Sequence, residues 1–348
     1  MTDVSHGSAP DRGHAVPDEE RPSLAVAARA WVVRPAAEAG RRGSLIVAWA
    51  VMILVYALVD RSSFLTPGTF QTIFGSQVAL VFIALGAMSA FAVGEFDLSV
   101  AANLGLSATL VPVLITNHGM SVAVSCVIAI LASLAVGAVN AFIIVGLGID
   151  AIVTTLGMAT LLGGLEAQFS NSGAVSFQSS ALSNIVNHSL LGLPLGFYYG
   201  LALAAVLTYV LGFTALGRHM AFVGSNRAVA RLAGVRVQRI RSGAYMASAA
   251  MCGLGGVLLA AEVGGFDSST APSYLLPALS ATFLGTAVIR PGRFNPAGTI
   301  IAIYFLTTGI VGLQLLGYAG WVSDVFYGAA LIIAITLATR LRPAARAR

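Results

Sequence analysis

The sequence predicts an all-α membrane protein with about ten transmembrane helices, and three observations support this. Of 348 residues, 57% are hydrophobic and only 9% are charged, whereas soluble domains carry about 25% charged residues. Apolar stretches long enough to span a bilayer recur along the chain, separated by short breaks containing Gly, Pro, Ser, Asn or Arg. Arginines are concentrated in a few of these breaks and at the chain ends, as the positive-inside rule leads us to expect of cytoplasmic segments.

The chain divides into a tail, a membrane domain and a second, shorter tail. Residues 1–43 are rich in Pro, Gly, Asp, Glu and Arg and lack an apolar period, which predicts a disordered cytoplasmic tail. Residues 44–340 form the predicted membrane domain, within which residues 217–243 are a basic cytoplasmic loop. Residues 341–348 contain three arginines and predict a cytoplasmic C-terminal tail.

Each predicted span is an apolar stretch close to the length that a membrane helix needs. With a cytoplasmic N-terminus, ten spans place the loop at 217–243, the turn with Arg290 and Arg293, and the C-terminal arginines all inside. The predicted spans are 44–59, 72–93, 98–115, 122–145, 151–169, 197–216, 244–263, 275–289, 296–316 and 321–339.

A nine-residue pattern occurs twice, at 93–101 and at 263–271, and both copies have the form V-G-x-F-D-x-S-x-A. The ten-span topology places the first copy at the cytoplasmic end of its helix pair and the second at the outer end. Spans two to five and seven to ten are therefore predicted to be inverted repeats. Inverted repeats with interrupted helices are typical of transporters, in which the solute path lies at the repeat interface.

Polar residues in and near this pattern are the candidate solute path, because charged groups in membrane segments usually face a bundle interior or a cavity. Two interpretations of the aspartates remain open. Each can cap a helix by accepting backbone N–H groups two or three residues on, or each broken helix end can bind a polyhydroxylated solute. The candidate residues are Glu95, Asp97, Ser99, Asn103, Asn140, Thr154, Thr155, Asp267 and Ser268.

Several of these candidates also have ordinary structural interpretations. Asn140 lies mid-span and either joins two helices or contacts solute. Thr154 and Thr155 either line the path or bond back to their own helix. No catalytic or metal site is expected, since no nucleophile–base pair or metal-ligand cluster is visible, and a membrane-embedded enzyme has little support. An ion-coupled secondary transporter that uses Glu95 and Asp97 is the alternative function.

The basic loop is predicted to contain a short helix that docks on a partner. Asn226 is a favourable N-cap and Gly234 a favourable C′ residue. A helix resting on anionic lipid is the other interpretation. The arginines lie at helix ends and do not indicate nucleic-acid binding. The candidate docking residues are Gly217, Arg218, Gly224, Asn226, Arg227, Ala230, Arg231 and Gly234.

Three stretches resemble the permease subunits of bacterial sugar ABC importers of the ribose-permease type, in the branched-chain amino acid/ribose permease superfamily. Residues 94–101 are similar to a G-G-I-D-L-S-V-G stretch, and residues 140–141 and 155–158 to an N-G followed by T-L-G-M. Residues 217–234 are similar to the G-R-x-x-x-A-x-G-x-N loop of that family. Glu95 departs from the usual Gly, which puts the identity of the solute in doubt more than the class.

The resemblance implies a permease homodimer in the lipid bilayer of the bacterial inner membrane, crossing it many times with both termini cytoplasmic. It implies a cytoplasmic ABC ATPase subunit, which the basic loop meets as a coupling helix, and an extracytoplasmic sugar-binding protein. The expected solute is a monosaccharide or related polyol. The chain has no Walker motif, so it is expected to bind no cofactor, and ATP is used by the partner subunit.

Overall fold

The computed structural model describes residues 43–341, and most of these are helical. The predicted tails therefore lie outside the described residues, except for Gly43 and Leu341, which belong to the described parts of the first and last helices. The helices are α1 (Gly43–Val59), α2 (Arg61–Phe64), α3 (Pro67–Gly75), α4 (Val78–Ala92), α5 (Val100–Thr116), α6 (Val122–Ala141), α7 (Ala151–Phe169), α8 (Ser180–Asn187), α9 (Leu195–Phe213), α10 (Ala215–Ser225), α11 (Arg227–Leu232), α12 (Val237–Val263), α13 (Leu275–Gly285), α14 (Pro296–Leu315) and α15 (Trp321–Leu341).

Six helical segments of the described chain are long and apolar enough to cross a membrane. Helices α1, α5 and α15 are apolar as well, but their apolar parts are shorter. The membrane class and the helical fold are thus confirmed, while the count of ten spans stays a prediction. The six segments are Pro67–Ala92, Val122–Gly146, Ala151–Phe169, Leu195–Phe213, Val237–Val263 and Pro296–Leu315.

Four short strands form two small sheets that the all-α prediction did not include. Strand β1 (Ala174–Ser176) pairs antiparallel with β4 (Gly265–Asp267), and β2 (Ser189–Leu190) pairs antiparallel with β3 (Leu193–Pro194). The first pairing ties the polar loop after α7 to the second copy of the nine-residue pattern. Its backbone bonds satisfy groups that would otherwise be left unpaired beside the helices.

Helix α12 is the centre of the packing, in contact with α4, α5 and α6. Its Gly253, Gly255 and Gly256 stretch permits close approach: a Cβ at Gly256 would lie 2.3 Å from the carbonyl oxygen of Leu104. Helix α4 packs in turn against α13 and α14. Helix α12, which precedes the second copy of the nine-residue pattern, therefore packs against α5 and α6, which follow the first copy. Helix α4, which precedes the first copy, packs against α13 and α14, which follow the second.

The two copies of the pattern also turn the chain in the same way. Gly94 has φ of +75° and Gly264 has φ of +76°, a left-handed conformation that glycine adopts without steric cost. Each glycine follows directly on the last turns of a helix, α4 or α12. The two copies, at 93 and 263, start 170 positions apart, and the same distance separates Ala151, where α7 begins, from Trp321, where α15 begins.

Candidate functional site

The segment between α4 and α5 places three polar side chains inside the protein. Glu95, Asp97 and Ser99 are 2%, 4% and 1% exposed. Helix α4 stops because Gly94 reverses the chain, and α5 starts only at Val100. Two carboxyl groups are therefore held on buried, non-helical backbone, where a group without partners would be costly. We call residues 93–99 the interrupted segment.

Glu95 lies between two arginines of the basic loop. Arg227 Nη2 is 2.7 Å from Glu95 Oε1, Arg241 Nε donates to the same oxygen, and the Tyr245 hydroxyl donates to Oε2 at 3.2 Å. Arg227 also donates to the carbonyl oxygen of Gly94 at 2.7 Å. Buried charges persist only when they are paired and hydrogen-bonded in this way. Glu95 therefore fastens the interrupted segment to the loop.

Asp97 belongs to a second network, made of hydroxyl groups and backbone. Its Oδ1 accepts from the backbone N–H of Ser99 at 3.1 Å and from the Ser99 hydroxyl at 2.6 Å, and its Oδ2 accepts from the Ser248 hydroxyl at 2.9 Å. Ser99 itself occupies the N-cap position of α5, without a capping bond from its side chain. Asp97 thus accepts the N–H two residues on, as the capping interpretation expects, but the N-cap position itself belongs to Ser99, and Asp97 stabilises the turn before it.

Helices α6 and α7 hold the same segment from the other side. Asn140 Nδ2 donates to the Ser99 hydroxyl at 2.9 Å, and the Leu98 N–H donates to Thr155 Oγ1 at 3.1 Å. The Oδ1 atoms of Asn140 and Asn103 are buried and have no hydrogen-bond partner among the described residues. Buried acceptors without partners are uncommon in folded proteins, so both oxygens can accept additional hydroxyl groups.

The side chains of Thr154 and Asn103 bond to groups outside the interrupted segment. The Thr154 hydroxyl donates to the carbonyl oxygen of Asp150, one turn earlier, at 2.8 Å, so it bonds back to its own helix. Asn103 Nδ2 approaches the Ser133 carbonyl oxygen at 3.5 Å, which is at the outer limit of a hydrogen bond.

The second copy of the pattern forms a separate polar group, which no hydrogen bond within residues 43–336 joins to Asp97. Asp267 Oδ1 accepts from the Ser269 N–H at 2.9 Å and from its hydroxyl at 2.8 Å, and it is the N-cap of a 3-10 helix, Ser268–Tyr274. Its predicted capping role is confirmed. These bonds from Ser269 stabilise the carboxylate and lower the pKa of Asp267. The Ser268 hydroxyl lies 3.1 Å from that of Ser170.

The basic loop is mostly helical rather than extended. Helices α10 and α11 lie within it, and α12 begins at Val237 instead of the predicted 244. Asn226 caps α11 by accepting from the N–H groups of Ala228 and Val229 at 3.0 and 3.1 Å. Gly234, just beyond the helix, has φ of +80°. Both predicted helix signals are confirmed.

Helix α11 has an inner and an outer face. Ala230 is fully buried, in one apolar cluster with Val93 and Val223. Leu232 is 88% exposed and Val229 is 47% exposed. The expectation that Ala230 contributes to an exposed docking face is therefore wrong, because its methyl group seats α11 against the interrupted segment. The exposed apolar face consists of Val229 and Leu232.

The remaining loop candidates are either tightly packed glycines or exposed arginines. A Cβ at Gly224 would lie 2.3 Å from the Ala92 carbonyl oxygen, and one at Gly217 would meet the backbone of α9 at 2.4 Å. Both glycines therefore allow α10 to approach the membrane helices closely. Arg218 and Arg231 are exposed and form no ion pair with the described residues.

Three residues of the site were missed by sequence reasoning: Arg241, Tyr245 and Ser248. They occupy α12 at spacings of four and three, which places them on one helix face. The signal was a polar stripe entering an apolar helix. Because the predicted span begins only at residue 244, Arg241 falls in the basic loop and the sequence gives no reason to expect a partner for it inside the protein.

Comparison with known proteins decides the family. Residues 69–335 match the family described as branched-chain amino acid transport system / permease component. The chain belongs to this permease family. It is 28% identical to the autoinducer 2 import system permease protein LsrC of Salmonella typhi over 302 residues, covering 87% of this chain and 86% of that protein. No solved structure matches the permease.

Two Yersinia relatives are similar at the same level. The LsrC protein of Yersinia enterocolitica is 30% identical over 303 residues, covering 87% of the permease and 83% of that protein. The LsrC protein of Yersinia pseudotuberculosis is 29% identical over 303 residues, covering 87% and 86%. The resemblance drawn from the sequence motifs is confirmed: the chain is an ABC importer permease and not an enzyme. The family implies a multi-pass protein of the inner membrane that works with an ATPase and a solute-binding protein.

Proposed function

We propose that the permease imports a monosaccharide or related polyol as one half of a homodimer. The similarity to importers of autoinducer 2, a sugar-like signal, supports a small polar solute with several hydroxyl groups. An extracytoplasmic binding protein delivers the solute, and a cytoplasmic ATPase supplies the energy. The permease binds no cofactor in this scheme, and ATP is used by the partner alone.

The proposed topology has ten spans, both termini in the cytoplasm, and inverted repeats. The left-handed glycines at 94 and 264, the 170-residue separation of the starts of α7 and α15, and the reciprocal packing of α4 and α12 support it. The arginine-rich segments then share one side of the membrane, as the positive-inside rule requires. In this orientation α11 faces the cytoplasm.

The proposed solute path passes the interrupted segment. Asp97, Ser99, Asn140 and Thr155 are all buried here. Apart from the unpaired Asn140 oxygen, their side chains bond to one another or to neighbouring groups of the protein, as we expect of a closed path. Opening the packing of α5 against α6 and α7 frees these acceptors for solute hydroxyls. The side-chain oxygens of Asn140 and Asn103 support this interpretation, because they accept no hydrogen bond from the described residues and are available to solute hydroxyls.

The proposed coupling element is α11. Val229 and Leu232 present a small apolar surface to the ATPase, while Arg227 on the inner side is bonded to Glu95 and Gly94. Movement of α11 on ATP binding is therefore passed to the interrupted segment. The single observation that carries this proposal is the contact between Arg227 and Glu95.

Reconstitution tests the proposed function. Proteoliposomes with the permease alone should not accumulate a labelled sugar under a proton or sodium gradient. Addition of the cognate ATPase, the binding protein and ATP should start uptake. Gradient-driven accumulation by the permease alone would overturn the proposal in favour of an ion-coupled transporter that uses Glu95 and Asp97.

A further inference from the structure

Two adjoining cavities run along α9 and α14. The first is a cleft of about 930 Å³ between α10, the end of α9 and the turn before α14. The second is a groove of about 460 Å³ on the flank of α9 and α14. Both are lined by Thr208 and Ala297. The two cavities therefore adjoin at these residues, and together we call them the α9–α14 groove.

The flank of this groove is apolar and faces outward from the helices. Leu201, Tyr209 and Phe213 contribute from α9, and Ile300 and Ile301 contribute from α14. Leu201, Tyr209 and Phe213 are exposed. The rings of Tyr209 and Phe213 stack with centroids 6.0 Å apart at the end of α9, and tyrosine is enriched at the membrane interface.

The other end of the groove is basic. Arg290 and Arg293 line the cleft, are exposed, and form no ion pair with a carboxylate of the described residues. The Arg290 guanidinium lies against the backbone of Gly212, one residue before the end of α9, because its Nη2 is 3.8 Å from where a Cβ would stand there. Two guanidinium groups that form no ion pair with the described residues therefore stand at one end of an apolar groove.

We propose that the α9–α14 groove binds an anionic glycerophospholipid of the cytoplasmic leaflet. The phosphate lies between Arg290 and Arg293, whose planar, donor-rich guanidinium groups suit phosphate oxygens. One acyl chain lies along the apolar flank. Basic recesses between membrane helices on the cytoplasmic side are suited to anionic headgroups. The proposal rests on the orientation proposed above and not on the identity of the solute.

The continuity of the groove favours a lipid over the ATPase as its occupant. An acidic protein segment could pair with the two arginines, but it would leave the apolar flank between two candidate membrane spans uncovered. A phospholipid suits both parts of the groove, because its phosphate can pair with the arginines while an acyl chain covers the apolar flank. The cleft also touches Gly224 and Asn226, next to α11, so a bound headgroup lies beside the proposed coupling helix.

Native mass spectrometry of the purified full-length protein tests the proposal, with phosphatidylglycerol and phosphatidylcholine of matched chains as probes. The wild type should retain phosphatidylglycerol at least about tenfold more than phosphatidylcholine. The Arg290→Gln/Arg293→Gln variant should lose this preference. The matched control Arg218→Gln/Arg231→Gln, with exposed arginines outside the groove, should keep it. Ala205 also lines the apolar flank, so Ala205→Trp, which fills it, should weaken retention while both arginines remain. Size-exclusion profiles confirm that each variant is folded.

Four results would overturn the proposal. The first is equal retention of both lipids by the wild type. The second is an unchanged preference in the Arg290→Gln/Arg293→Gln variant. The third is competition by soluble glycerol phosphate as strong as by the lipid, which would indicate a phosphate site without an acyl groove. If the double variant instead loses ATPase in a pull-down and keeps its lipid, the arginines contact the protein partner and the proposal fails.

Discussion

Arg227 of α11 bonds to Glu95 of the interrupted segment, with Nη2 2.7 Å from Oε1 and a further 2.7 Å bond to the Gly94 carbonyl oxygen. The two residues are 132 positions apart in the chain. Glu95 is buried, and Arg241 contacts it from α12. Displacing α11 therefore means either moving the backbone at 94–95 or breaking two charge-assisted bonds. Such bonds are stronger than neutral ones, so the segment is expected to follow the helix.

The first prediction concerns this contact. Arg227→Ala should leave the ATPase bound and active but lower the amount of solute imported per ATP, because α11 can then move without the interrupted segment. Arg227→Lys should restore part of the coupling, since it keeps the charge but not the fork of donors. The measurement is uptake and ATP hydrolysis in the same proteoliposomes.

Arg231→Ala is the matched control, because Arg231 lies one turn along α11 and forms no ion pair with the described residues. It should leave the ratio of solute to ATP unchanged. An unaltered ratio in Arg227→Ala would contradict the proposed transmission through Glu95.

The second prediction concerns the outer face of α11. Leu232→Glu should reduce capture of the ATPase severalfold without unfolding the permease, because the new charge has to lose its water on docking. Leu191→Glu is the matched control, since Leu191 is 91% exposed in a loop that the proposed topology places outside. The measurement is a pull-down of the ATPase beside a surface-expression assay.

Ala230→Glu should behave differently from Leu232→Glu. Ala230 is fully buried, so a carboxylate there would lack space and partners and would lower the amount of folded permease as well. Normal ATPase capture by the Leu232→Glu variant would show that Leu232 is not part of the docking face.

The third prediction compares Asp97 with Asp267. Asp97→Ala leaves buried hydroxyl donors of Ser99 and Ser248 without their acceptor, which should cost about 1–3 kcal/mol of stability. Asp267→Ala removes a half-exposed cap, and its loss should cost less stability. Thermal unfolding in detergent should therefore be lowered more by Asp97→Ala. The same variant should reduce uptake while ATPase capture persists.

A wild-type uptake rate in the Asp97→Ala variant would remove Asp97 from the proposed solute path. Equal loss of stability in the two variants would contradict the difference in burial on which the comparison depends.

The helices and their end signals could be predicted because they are local properties of the sequence. Helix α7 spans the predicted residues 151–169, and the cap at Asn226 and the glycine at 234 act within one or two turns. The contacts of Glu95 could not be predicted, since they join residues far apart in the chain and pairing an arginine with a buried carboxylate has no local signature.

The buried face of α11 was unpredictable for another reason. Its six residues carry Ala, Val and Leu on more than one side, so no single apolar stripe marks the inner face. The early start of α12 was missed because hydropathy counts Arg241 as a loop charge, although in the folded protein its partner is internal.

The fourth prediction concerns pH. Hydrogen bonds from the Ser269 hydroxyl and N–H lower the pKa of Asp267. A carboxyl group with a lowered pKa in the folded state contributes stability above its unfolded pKa, about 4, and loses it as pH falls through the folded value. Asp267→Asn should therefore flatten the fall in thermal stability on acidification below about pH 4. A steeper fall in the variant would contradict the assignment.

The last prediction concerns the sidedness of the whole fold. Ser176 in β1 and Ser225 at the end of α10 are both exposed, so a cysteine at either position is accessible to a thiol reagent and only the side of the membrane distinguishes them. In a Cys126→Ala background, in which the remaining Cys252 is buried, Ser176→Cys should react with an impermeant maleimide in intact cells. Ser225→Cys should react only after the inner membrane is permeabilised. The reverse pattern would place the arginine-rich loop outside, against the positive-inside rule, and would overturn the orientation of the repeats together with the assignment of α11 to the ATPase.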